Sequence, residues 1–232
     1  MDNSNNRLKA AMLLIIGANI LKKSPVYILL YFLAFALLSR REWRSLPALL
    51  GWAMLVGFLA EFVGTRMCLP FSCYEYVNLQ PQILEISVFV PLAWAIFGAI
   101  SYLTASFLFA RKYHRLLFAS LLMVVLDLSI DPIMTSWSGW VWKTSTTINW
   151  FGIPWTNYTG WFIVSLVIFY LYERFSDAFI CPRLRKFGPP IYLLEMLTFA
   201  VYAPESVKVP TMVAFLISLV LVIPLSLKRL GE

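Results

Sequence analysis

Apolar residues along this chain come in long blocks separated by short polar connections. The blocks lie near residues 10–21, 25–38, 46–63, 88–110, 115–134, 159–173, 190–203 and 209–227. A helix needs about 20 mostly apolar residues to cross the hydrocarbon core of a bilayer, so blocks of this kind read as membrane helices. The first, second and seventh blocks are short. The pattern predicts an all-α fold, a polytopic membrane helix bundle with seven or eight hydrophobic segments, forming a single domain over residues 1–232. The 10–21 block follows Arg7 and Lys9, as the core of a signal sequence would, but no small-residue cleavage site follows it. It reads either as a span or as an interfacial or re-entrant piece.

Composition points the same way. Of 232 residues, 60% are hydrophobic, 16% aromatic and 13% charged, with a mean hydropathy of +0.76. A soluble domain carries about a quarter charged residues to cover its surface, and here lipid takes that role. The net charge is +7. The basic residues sit in short clusters between apolar blocks, which is how topology signals are placed, and no basic patch for nucleic acid is present. Arg40, Arg41 and Arg44 follow the second block, Arg111, Lys112 and Arg115 the fourth, and Arg174, Arg183, Arg185 and Lys186 the sixth; Lys228 and Arg229 close the chain. If the blocks span in turn, all of these fall on one side, which the positive-inside rule makes cytoplasmic, as in a multi-pass protein of the cell membrane. Lys22 and Lys23 fall on the other side, which argues against a span at the first block. Nothing in the chain specifies an oligomeric state.

The opposite side holds two long loops, near 64–87 and 135–158, poor in Lys and Arg and rich in aromatics. Trp137, Trp140, Trp142, Trp150, Trp155 and Trp161 crowd the second loop and its junction with the next block. An aromatic belt at the membrane interface accounts for most of them, and the excess is expected to line a cavity. Cys68 and Cys73 share the first loop and are expected as two free thiols, with a disulfide as the alternative in an oxidising compartment. His114 lies in a basic turn. The Cys and His inventory offers no metal site, no haem site and no Cys/His nucleophile pair.

Ionisable groups inside a bilayer are costly and are candidates for function. Glu61 ends the third block, Asp127 and Asp131 lie in the outer half of the fifth, and Glu195 lies in the seventh, where it reads as a buried pairing partner. Asp127 and Asp131 are spaced i, i+4 and so share one helix face. Two carboxylates there repel when both are ionised, which favours a proton retained on the pair, and a retained proton is what a general acid requires. The alternative is that each caps backbone donors or pairs with an Arg. Pro132 predicts a kink or an end to that helix. Arg66 is the one Arg of the outer loops, expected to pair with Glu61 or an aspartate, or to anchor at the interface. Asn157, after Pro154, reads as a helix N-cap.

Several ordered motifs resemble one family. Glu61-Phe62-Val63-Gly64, Pro70-Phe71-Ser72-Cys73-Tyr74-Glu75-Tyr76, Pro91-Leu92-Ala93-Trp94, Asp127-Leu128-Ser129-Ile130-Asp131-Pro132, Gly139-Trp140-Val141-Trp142 and Gly152-Ile153-Pro154-Trp155-Thr156-Asn157-Tyr158-Thr159-Gly160-Trp161 follow in the order found in the membrane carotenoid-biosynthesis proteins, whose hydratases act on lycopene-type and bisanhydrobacterioruberin-type carotenoids. The resemblance covers about residues 50–165. It implies Asp127, Asp131 and Glu61 as catalytic residues, and Arg66, Tyr74, Tyr76, Trp94, Trp140, Trp142, Asn157 and Trp161 as substrate-binding residues. The family pattern has Thr-Gly before the Pro-Phe pair and Gly after it, where this chain has Met67, Cys68 and Ser72, and a Tyr where it has Trp150. Losing glycine changes loop shape. The fold is expected to hold, with room for a different substrate or activity.

The implied reaction is hydration of the terminal 1,2 double bond of an acyclic carotenoid. Such a step needs a proton donor, an environment that tolerates a tertiary carbocation, and water. A carboxylic acid in a dry site, aromatic faces and a second carboxylate supply these, with no metal or redox cofactor and with membrane lipid as the surroundings. Two rivals remain. One is a non-enzymatic membrane protein that binds or moves an isoprenoid lipid. The other is a different enzyme acting on an isoprenoid lipid; against a prenyl transferase, Asp127-x-x-x-Asp131 is followed by Pro and apolar residues instead of Arg or Lys.

Overall fold

The computed structural model describes residues 2–144 and 146–231. Every apolar block is a helix: α1 (Asp2–Ile20), α2 (Val26–Leu38), α3 (Leu46–Met67), α4 (Phe89–Leu108), α5 (Lys112–Ser136), α6 (Trp155–Phe175), a single turn α7 (Pro182–Arg185), α8 (Gly188–Tyr202) and α9 (Lys208–Gly231). The two long loops add three short antiparallel ribbons. These are β1 (Tyr74–Tyr76) with β4 (Trp140–Trp142), β2 (Gln82–Ile83) with β3 (Ile86–Ser87), and β5 (Asn149–Trp150) with β6 (Ile153–Pro154). Among the described residues, four stretches are long and apolar enough to cross a membrane: Leu46–Met67, Phe89–Leu108, Lys112–Ser136 and Glu205–Gly231. That is fewer than seven or eight, because α2 and α8 are short and α1 and α6 carry more polar residues.

α4 and α5 form the centre, buried on nearly all faces, as expected of helices that are apolar all round. α3 and α6 pack on one side, α8 and α9 on the other, and α1 pairs with α2. Small residues let the backbones close up, as in other membrane bundles. A Cβ on Gly188 would lie 2.7 Å from the Thr104 backbone, so the start of α8 crosses α4 at backbone contact.

The two ends of the bundle differ in chemistry. At the inner end, Trp43 Nε1 donates to Tyr172 OH at 2.7 Å, Arg115 Nε meets Glu173 Oε1 at 2.8 Å, and the Cys181 amide bonds to the Glu42 carbonyl. The loops after α2, α4 and α6 therefore meet at one end. The 64–87 and 135–158 loops meet at the other, joined through β1 and β4.

α1 runs the depth of the bundle. Asn5 in its first turn accepts from Arg183 at the inner end, and Ile20 at its close accepts from Tyr202 at the outer end. The misplaced Lys22 has a local explanation. Its side chain is buried and ion-paired with the fully buried Glu195, and it also reaches the Glu195 carbonyl and Thr198 Oγ1. Tyr27 and Tyr31 donate to the same carboxylate at 2.5 and 2.7 Å. Lys22 is thus neutralised inside the protein and carries little of the sidedness signal that an exposed lysine carries.

Two outcomes follow. Single cysteines at Lys112 and Lys143 are expected to react with an impermeant thiol reagent from opposite faces of the membrane, and labelling from the same face would refute the topology. Glu195→Gln leaves the Lys22 charge buried without its partner and is expected to lower stability by about 3–5 kcal/mol. Thermal unfolding in detergent reads this, and Lys22→Met combined with Glu195→Leu should recover much of the loss.

Candidate functional site

Pro132 lacks an N–H, so the Leu128 carbonyl one turn earlier has no helical donor. The sequence predicted a kink or an end to the helix there, yet α5 continues to Ser136. Trp150 Nε1 donates to the Leu128 carbonyl at 3.1 Å and takes the place of the missing amide. The β5–β6 hairpin holds that indole, turning at Phe151 and Gly152, both at positive φ, with the Gly152 amide on Asn149 Oδ1. The unbroken helix keeps Asp127 and Asp131 on one face. Asn157, inside the first turn of α6 and not its N-cap, donates through one nitrogen to Oδ2 of both, at 2.6 Å for Asp127.

The β1–β4 ribbon supplies the other donors. Tyr74 pairs with Trp142 and Tyr76 with Trp140, while Glu75 pairs with Val141 between them. Strand side chains alternate, so the four rings share the inward face and Glu75 and Val141 face out. The phenols of Tyr74 and Tyr76 both donate to Glu61 Oε2, and Trp94 Nε1 donates to Oε1 at 3.2 Å. Trp140 and Trp142 donate to Asp131 Oδ1 at 2.6 and 3.3 Å. Burial, and after it the Glu61 charge, hold both phenols well above the ordinary tyrosine range, so they remain protonated donors.

Among the described residues, every donor to these three carboxyls is neutral. Asp127 Oδ1 and Tyr158 OH are buried with no protein partner. The carboxyls of Glu61 and Asp131, with Asn157, line a pocket of about 30 Å³, room enough for a water. Val90, Trp140 and Trp161 line both this pocket and a neighbouring apolar cavity of about 190 Å³. Between them Trp94 and Trp161 stack with centroids 4.1 Å apart.

Of the residues singled out in the sequence, Glu61, Asp127, Asp131, Tyr74, Tyr76, Trp94, Trp140, Trp142, Asn157 and Trp161 come together here. Arg66 does not: it lies at the surface, ion-paired with Glu85 at 3.2 Å and set over the Phe62 ring. Its reach is taken up by the 84–85 turn, so it pairs with neither Glu61 nor an aspartate. Three contributors went unassigned in the sequence. Trp150 was signalled by the carbonyl that Pro132 orphans, Phe71 by the small Gly64 and Gly160 that it packs against, and Tyr158 only by its place beside Asn157. Among the described residues no group of three or more His, Cys, Asp or Glu is placed to hold a metal ion.

A family model described as carotenoid biosynthesis protein matches residues 23–225. The chain belongs to the carotenoid biosynthesis protein family. It is also 27% identical over 172 residues to the bisanhydrobacterioruberin hydratase of Haloarcula japonica, an alignment that covers 71% of this chain and 56% of that protein. The chain thus spans little more than half the length of that relative. No solved structure matches it.

The departures from the family's glycine pattern are informative. Cys68 and Ser72 stand where glycine is expected, and both keep a positive φ, 61° and 100°. Cys68 and Cys73 are joined in a disulfide, not free as the sequence suggested, and Ser72 Oγ is hydrogen-bonded to Thr156 Oγ1. The disulfide and this hydrogen bond thus hold a turn whose positive φ glycine would enter freely. The five-residue separation and a shared turn bring the two thiols together.

The aromatic wall also rests on a glycine. A Cβ on Gly57 would lie 2.6 Å from Trp94 Cγ, whereas a Cβ on Gly51 of the same helix meets nothing within 4 Å. Gly57→Ala is expected to push Trp94 off Glu61 and destabilise by about 1–3 kcal/mol. Gly51→Ala should be neutral or stabilising by up to about 1 kcal/mol. Near-ultraviolet circular dichroism and thermal melting compare the two, and equal behaviour would sink the packing argument.

Proposed function

We propose that this carotenoid biosynthesis protein is a carotenoid hydratase of the cell membrane, adding water across the terminal 1,2 double bond of an acyclic carotenoid. One observation carries the reading: of three buried carboxyls met only by neutral donors, Glu61 and Asp131 line a pocket that shares a wall with an apolar cavity. The name of the Haloarcula japonica relative supports the same reaction class.

The net reaction is redox-neutral, alkene plus water giving a tertiary alcohol. Asp127 and Asp131 meet one Asn157 amide with no cation bonded to either. Such a pair avoids two adjacent negative charges by retaining a proton. Asp131 is the member that lines the pocket, so it delivers the proton to the less substituted alkene carbon. The π pair forms the new C–H bond and leaves a tertiary cation on the neighbouring carbon. The faces of Trp94 and Trp161 favour that cation through their quadrupoles. The indoles on Asp131 Oδ1 are in place beforehand to stabilise the carboxylate left behind. A water beside Glu61 attacks the cation, and Glu61 accepts the released proton. Its return to the aspartate pair restores the starting state.

The test is expression in a lycopene-producing bacterium, followed by mass analysis of the pigments. Each hydrated end adds the mass of one water. Asp131→Asn and Glu61→Gln are expected to cut hydration by about 10²–10⁴-fold with the protein still folded. Parental rates in both variants would overturn the assignment. If the wild-type protein hydrates none of several acyclic carotenoids, the reaction is wrong, and the apolar cavity then favours a protein that binds or moves an isoprenoid.

A further inference from the structure

Glu61 and the two phenols that donate to it sit on different elements, joined by one sharp reversal of the chain. α3 carries Glu61 and Gly64 and ends at Met67, and β1 starts at Tyr74. The reversal folds Tyr74 back over the last turns of α3. A Cβ on Gly64 would lie 3.1 Å from both the Tyr74 hydroxyl and Phe71 Cδ2. The place where β1 starts, relative to the end of α3, thus decides whether its phenols reach Glu61.

The reversal uses backbone that its residues do not favour. Cys68 and Ser72 both have positive φ, a region that side chains other than glycine enter at a cost. The Cys68 amide bonds to the Gly64 carbonyl, and the Ser72 amide to the Cys68 carbonyl. The firmest tie is covalent. Cys68, which caps α3, is joined to Cys73, the residue just before Tyr74. Cys73 is itself the first contact between the two outer loops: its carbonyl accepts from the Lys143 amide at 2.8 Å, and its amide donates to Thr144 Oγ1 at 3.2 Å. The disulfide therefore fastens the end of α3 to the point where the ribbon begins.

We propose that the Cys68–Cys73 cross-link is a positioning element of the carboxyl site: oxidised, it fixes the start of β1 so that Tyr74 and Tyr76 meet Glu61, and reduced, it releases them and lowers the rate. The inference rests on the hydratase reading for what the site does, but the ordering of the ribbon is a property of the fold alone. Closing the cross-link removes two protons and two electrons from the two thiols. A disulfide of a thiol–disulfide oxidase takes them up by exchange and itself becomes a dithiol. Both cysteines are half-buried, on the loops at the end of the bundle opposite the basic clusters. The free Cys181 lies at the other end, bonded through its amide to the Glu42 carbonyl, and takes no part.

The test compares oxidised and phosphine-reduced full-length protein in lipid nanodiscs, with thiol counting to verify the reduction. Amide hydrogen exchange reads the ribbon. Reduction is expected to speed exchange in segments 73–77 and 139–143 by about tenfold, the size of one left-handed residue's preference, with α4 and α5 unchanged. Hydration of lycopene, read by mass, is expected to slow at least tenfold and to recover on reoxidation. In Tyr74→Phe, reduction should slow hydration at most threefold further, because the phenol it would release is already gone. A general loosening of the protein would slow both alike. Under reductant, Cys68→Gly with Cys73→Ser should stay within threefold of the oxidised wild type by exchange and by rate, since glycine takes the positive φ freely. Cys68→Ala with Cys73→Ser should match the reduced wild type. Exchange and rate untouched by verified reduction, or the glycine and alanine pairs behaving alike, overturns the proposal, as does faster exchange with an undiminished rate. If the oxidised wild type hydrates nothing while exchange responds as described, the cross-link keeps its hold on the ribbon and the hydratase reading falls.

Discussion

A carboxyl group buried in a membrane protein has to be met by hydrogen-bond donors, because hydrocarbon offers none and the cost of leaving it bare is several kcal/mol. Here three such groups, Glu61, Asp127 and Asp131, are gathered at one level, and no Lys or Arg is bonded to them among the described residues. The answer is a shell of indoles, phenols and one amide. The outer half of the bundle is arranged round that shell: the ribbon between the two long loops, the hairpin that brings Trp150 to Leu128, and the glycine on α3 that admits Trp94. A cation would neutralise the carboxyls outright. Neutral donors lower the cost of charge without removing it, and leave the groups able to exchange protons.

The second buried acid shows the contrast. Glu195 has Lys22 against it, with two tyrosines and a threonine completing the cluster. A charge pair of that kind is a fastening between α8 and the turn after α1. Lys22 and Tyr27 of this cluster and Trp94 and Trp140 of the donor shell line one apolar cavity from different sides.

Much of this was legible in the residues, for physical reasons. Eight apolar blocks became eight helices because length and hydropathy leave no other way to satisfy the backbone in lipid. The i, i+4 spacing of Asp127 and Asp131 fixed their common face whatever the surroundings. What the sequence could not supply were contacts made across the fold. Arg66 was expected near the carboxyls by its closeness in sequence, yet Glu85 reaches it first. Asn157 was read as a local cap, but its amide lies against a different helix. Lys22 counted against the first span only while its partner, 173 residues away, was unknown. For Cys68 and Cys73, spacing alone does not show that the turn brings the two sulfurs together.

The β1–β4 ribbon has a consequence for how this protein tolerates changes in length. Its period of two is what turns Tyr74, Tyr76, Trp140 and Trp142 inward together. One residue gained or lost within either strand would reverse the facing, sending Glu75 or Val141 into the pocket and the donors to the surface. Connections beyond the two strands carry no such phase, so a change of length there leaves the facing of the ribbon intact. The two outer loops are therefore places where substitutions are cheap in some segments and insertions are forbidden in others, and the boundary between the two behaviours falls at the ends of two three-residue strands.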